Sequence, residues 1–138
     1  MAIKVVDCIA LAHEKQKRMS IMETRKMHAW MHYYPNPGDH DDLHCHPGDQ
    51  TFTVLEGECT MSFEDGGSAV MKPGTTALIE GGSFYQLRNS GDGPMVLMGT
   101  RTGPKSANTH INYDTRTHVQ HTRRHLRPEN LRKTSNSV

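Results

Sequence analysis

The segment GDHDDLHCHPGDQ, residues 38–50, gathers His40, His44 and His46 among four aspartates and ends in Gln50. Successive side chains of a strand alternate between its faces, so His44 and His46 project to one side and Cys45 to the other. Two imidazoles on one face can chelate a divalent ion through neutral ring nitrogens. In a chain with ten histidines, the same pair also reads as two exposed residues at a strand end, and the wider spacing has to decide. Asp49 has the opposite parity to Gln50 and reads as a turn residue. His40, Asp41 and Asp42 read as solvated residues of the loop leading into the pair.

The elements that must hold these residues are short strands. From residue 29, runs rich in Val, Ile, Phe, Tyr and Thr are broken by Gly, Pro, Asp and Asn about every ten residues, the texture of an antiparallel sandwich or barrel. Strands are expected at 29–34, 43–46, 50–57, 58–63, 68–72, 76–80, 84–89 and 95–100. Glycine-bearing breaks at EDGG (64–67), KPG (72–74), EGG (80–82) and SGDGP (90–94) separate them. The expected inward set is Phe52, Val54, Met61, Phe63, Leu78, Leu87, Val96 and Met98. His28, Trp30 and His32 share one face of the first strand, which makes His32 a minor pocket candidate. Before residue 29, LAHEKQKRMSIMETRKM (11–27) suits a modest helix. Residues 1–28 are accordingly taken as an N-terminal segment, helical or an edge strand, 29–100 as the barrel and 101–138 as a basic arm or tail.

Bulk properties narrow the class. A chain of 138 residues is the size of one domain that needs no disulfides to build a core. No apolar run approaches the roughly 20 residues that span a bilayer, and no secretory signal is evident. Cys8, Cys45 and Cys59 are odd in number and lack C-x-x-C spacing, so a reducing cytoplasm is the expected location. Residues 1–100 carry 8 Lys and Arg against 13 Asp and Glu, whereas residues 101–138 carry 8 against 2. The arm has too few large apolar residues for its own core, so it packs on the barrel, packs on a partner subunit, or stays mobile. Its HTRRHLR run lacks the interleaved aromatics of a single-strand binder, and the body is acidic, so no nucleic-acid partner is expected.

The spacing around the histidine pair resembles the first motif of the cupin family: Gly38, five residues, His44-x-His46, three residues, Gln50 where the family has glutamate, six residues, Gly57. A second stretch resembles the other cupin motif, with Gly74, five residues, Glu80 at the usual proline, Gly82, two residues, Tyr85 at the usual histidine, three residues and Asn89. The resemblance covers roughly residues 29–100. It implies an all-β fold, the double-stranded β-helix or jelly-roll barrel, with a metal in its mouth. Carried over position by position, it implies His44, His46, Gln50 and Tyr85 as metal ligands. Glutamine removes one negative charge from the ligand set. Tyr85 restores it as a phenolate, or stays protonated as an acid facing the substrate.

The expected function is therefore that of a metal-dependent enzyme acting on a small organic molecule. One divalent transition metal is expected, iron first, with nickel, manganese or zinc as alternatives. An iron-dependent dioxygenase leads because of the tyrosinate option. The alternatives are a Lewis-acid isomerase, cyclase or lyase with Tyr85 moving the proton, acting for example on a sugar acid as the resemblance to cupins with a glutamine ligand implies, and a non-catalytic small-ligand-binding barrel. No membrane partner is expected, and a homodimer is, because the edge strands of an open barrel need cover.

Overall fold

The structure, a computed structural model, describes residues 2–107, 109–119 and 124–126. Most of HTRRHLR and of the sequence beyond it lies outside these described residues. Among the described residues one α-helix, α1 (Cys8–Lys15), precedes thirteen strands, with a short 3-10 turn (Lys105–Ala107) between the tenth and eleventh: β1 (Met19–Glu23), β2 (Met27–Tyr34), β3 (His40–Asp41), β4 (His44–Cys45), β5 (Gln50–Glu56), β6 (Cys59–Phe63), β7 (Ser68–Met71), β8 (Thr76–Ile79), β9 (Tyr85–Asn89), β10 (Met95–Thr102), β11 (His110–Asn112), β12 (His118–Val119) and β13 (Arg124–His125). All eight strands expected from the sequence are present.

The strands form two antiparallel sheets. One runs β1-β2-β10-β5-β8 and the other β12-β11-β4-β9-β3-β13, with β6 joining β9 to β7. They enclose a core in which Trp30, Phe52, Val54, Met61, Leu87 and Leu97 are buried together, each such side chain contributing roughly 1.5–3 kcal/mol on removal from water. This is the all-β jelly roll that the motifs imply. The two motif regions lie side by side, because His44 pairs with Tyr85 and His40 with Arg88. The four motif glycines, Gly38, Gly57, Gly74 and Gly82, all have positive φ. At Gly57 a side chain would also collide with the carbonyl oxygen of Pro94.

Three expectations need correction. The helix stops at Lys15, where Gln16 turns left-handed at φ 52°, and residues 19–23 become β1, burying Ile21. Asp7 caps its start, with its carboxylate accepting from the Ala10 amide at 3.1 Å. Val96 and Met98 face outward, where Val96 packs with Ala12, Ile21, Met31 and Tyr33 beneath the N-terminal segment. Met95 and Leu97 fill the barrel instead; both faces of β10 are covered, so alternation could not reveal its parity. Leu78 is 67% exposed and Phe63 39%, since Ala77 and Ile79 take the inward positions of β8 and Phe63 ends its strand.

The described part of the arm packs on its own barrel. β11 pairs with β4, placing Ile111 opposite Cys45 and Asn112 opposite His44. β13 pairs with β3, placing Arg124 opposite Asp41. Among the described residues no helix is long and apolar enough to cross a membrane.

Candidate metal centre

His44 and His46 reach the interior from β4 and the residue after it, while Cys45 is buried between β4 and β11. A third imidazole joins them from the arm. The ligating nitrogens of His44, His46 and His110 all lie within 4.8 Å of one another, and all three residues are buried. Ring centroids are 4.9 Å apart for His44 and His46, 4.3 Å for His46 and His110, and 5.7 Å for His44 and His110. His44 Nδ1 donates to the Asp42 carbonyl at 2.6 Å and His46 Nδ1 to the Thr109 carbonyl at 3.0 Å. Each bond puts the proton on Nδ1 and the lone pair on Nε2, the outer-shell arrangement that orients metal-binding histidines.

Electrostatics favour the neutral rings that ligation needs. Burial pushes the His44 imidazole down to about 4. Burial, then the neighbouring His46 and His44, pushes His110 down to about 2. Three neutral imidazole nitrogens converging in a buried site are the donors that first-row divalent ions take. The donor set therefore fits a single metal ion.

Gln50 and Tyr85 stand beside the cluster. Tyr85 is buried on β9 with its ring 4.5 Å from that of His44. The Gln50 amide nitrogen donates to the Tyr85 hydroxyl at 3.4 Å, and Gln50 Oε1 is a buried acceptor with no hydrogen-bond partner. Burial pushes the Tyr85 phenol well up from its ordinary value. His32 also lines the cavity: the Trp30 indole nitrogen donates to its Nε2 at 3.1 Å, and burial lowers its pKa.

Other residues of the two motifs are structural. Asn89 donates to the carbonyls of Tyr34 and Gly93 and accepts from Gly91, fixing the turn after β9. Glu80 is exposed in a turn, and Asp49 accepts from the Gly81 amide at 2.9 Å. Asp41, expected in solvent, is instead buried and accepts from the Leu87 amide at 2.7 Å. Asp42 pairs with His125 at 2.5 Å, and His125 stacks on His40 at 4.6 Å.

Sequence reasoning missed His110. Its one signal was the alternation of THIN (109–112), where β-branched Thr and Ile flank the histidine and asparagine at strand spacing. The basic, polar character of the arm outweighed it.

The model of the cupin domain family matches residues 31–100. Among solved structures, an uncharacterized conserved protein with a double-stranded β-helix domain from Klebsiella pneumoniae is 27% identical, over 65% of this chain and 77% of that one, with a TM-score of 0.58. An RmlC-like cupin from Desulfovibrio desulfuricans is 17% identical, over 62% and 79%, at 0.55. The DMSP lyase DddQ from Ruegeria pomeroyi is 21% identical, over 58% and 40%, at 0.52. At such identities the last two likenesses concern the fold. No curated protein matches the sequence.

Proposed function

As a member of the cupin family, the chain has the barrel in which such a centre sits, and we propose that it is a metal-dependent enzyme acting on a small organic molecule. His44, His46 and His110 would hold one divalent transition metal, with Gln50 Oε1 as a further donor. The observation that carries this reading is the convergence of three buried imidazoles, two of them oriented by backbone carbonyls. Imidazole suits iron, nickel and zinc, whereas manganese prefers carboxylates.

With neutral donors the ion would keep its full double charge and supply Lewis acidity that polarises a substrate oxygen. The chain's own residues do the rest. Trp30, Phe52 and Tyr34 line the cavity with aromatic surface. Tyr85 presents a hydroxyl, held by the Gln50 amide, that can pass a proton to a bound molecule. This division of labour suits an isomerase, cyclase or lyase. The dioxygenase becomes the second reading: a three-imidazole set accepts iron, but burial works against the tyrosinate that favoured oxidation, and the hydrogen bond from the Gln50 amide offsets that only in part.

Metal analysis of protein purified without a histidine tag is expected to give about one equivalent of a single transition metal, falling below about a tenth in His110→Ala. Wild-type protein that takes up no metal even on reconstitution would overturn the reading. In iron-loaded protein, a visible band abolished by Tyr85→Phe would restore tyrosinate and oxidative chemistry.

A further inference from the structure

The cavity beside the three histidines also carries two arginines. Arg18, in the turn between α1 and β1, and Arg124, on β13, both line it. Nε, Nη1 and Nη2 of Arg124 are all buried and have no hydrogen-bond partner among the described residues; the guanidinium instead stands 5.6 Å from the centre of the Tyr34 ring. Asp41 also lines the cavity, but its carboxyl accepts from the Leu87 amide, and burial raises its pKa well above its ordinary value. The two guanidinium groups make this wall positive before any metal ion is counted.

A buried guanidinium without a partner is costly. Its planar fork of donors matches the two oxygens of a carboxylate. We propose that the cavity binds the carboxylate of a small organic acid, gripped by Arg124 and closed over by Arg18. The closed cavity has room for about one water, so an acid enters only when Arg18 moves aside, and a planar two-oxygen head group then needs less added space than a tetrahedral phosphate. Arg18 is only partly covered, and its long side chain can swing outward to admit the rest of the molecule. The inference rests on the proposed enzyme for its meaning as a substrate class, while the binding itself does not need the metal.

Calorimetric titration of the full chain, metal-loaded and chelator-treated, with acetate, pyruvate and malonate, with the neutral amides acetamide and pyruvamide, and with inorganic phosphate, tests it. At least one carboxylate is expected to bind the chelator-treated protein, with the neutral amides and phosphate weaker by about tenfold or more, and with Arg124→Gln and Arg18→Gln each losing about tenfold. Without ligand, Arg124→Leu is expected to melt above wild type, because an unpaired buried charge is gone. If Arg124→Gln fails to fold, Arg18→Gln, from the other end of the chain, decides. Equal binding of acids and amides, undiminished affinity in the folded variants, preference for phosphate, or no carboxylate binding at all would overturn the proposal. Arginine-dependent binding in a protein that never takes up metal sinks the metal reading and leaves this one; one equivalent of metal without such binding does the reverse.

Discussion

Along β2, Trp30, His32 and Tyr34 face the cavity while Met31 and Tyr33 face the N-terminal segment, and all five are buried. The outer face packs apolar atoms against Ala12, Ile21 and Val96. The inner face keeps polar atoms, and His32 Nδ1 and Tyr34 Oη have no partner. Burial alone therefore does not separate a packing face from a working face. What separates them is whether the polar groups that were buried found partners, since an unsatisfied one destabilises the fold and needs another reason to persist.

The contrast can be broken most forcefully from outside. Met31→Ala is expected to lower the unfolding free energy by about 2–5 kcal/mol, read by urea denaturation, while metal content stays at the wild-type level. A loss of metal would mean that the outer face also serves the centre. A pH titration of stability probes the inner face next. His28, stacked on Trp30 and accepting from Arg101 Nη2 at 2.8 Å, has its pKa lowered from 6.5 to about 4, chiefly by burial and then by Arg101. Between those values the unfolded chain binds more protons than the fold. Stability from this group is complete above about pH 6.5 and falls as pH drops toward 4, by a few kcal/mol at most. His28→Gln should flatten that part of the curve relative to wild type, and an unchanged slope would remove His28 from the account.

Smaller effects sharpen the comparison. Gly99 pairs with Trp30 across β2 and β10, and a side chain there would run into the indole, so Gly99→Ala is expected to cost about 1–3 kcal/mol by overpacking. A shifted indole fluorescence should accompany the loss, and stability equal to wild type would show that the indole can move aside. Smallest is Tyr34→Phe, expected to stabilise by about 1 kcal/mol because it removes a buried hydroxyl with no partner. Thermal melts check it, and destabilisation would point to a partner for that hydroxyl.

How far these features could be read from the sequence follows the same physics. The strands and both motifs were legible because turn glycines and period-two alternation are local. His44 and His46 were legible for the same reason, being two positions apart on one strand. His110 and Arg124 were not, because only long-range pairing of β11 with β4 and of β13 with β3 brings them to the cavity. The direction of Val96 was lost since β10 is covered on both faces. Asp41 read as a loop acid because the Leu87 amide that holds it in the interior lies on another strand.

The hydrogen bond from His46 to the Thr109 carbonyl, with His110 next in sequence, ties residues of the first motif to a segment about sixty positions away. An ion shared by those two histidines would be a removable cross-link. By the loop-closure argument, a bridge of that span restricts the unfolded chain by roughly 4 kcal/mol, in addition to whatever it does for chemistry. The arm would then be part of the barrel when the ion is bound and the first piece to peel away when a chelator takes it, so limited proteolysis near Thr109 would serve as a gauge of occupancy.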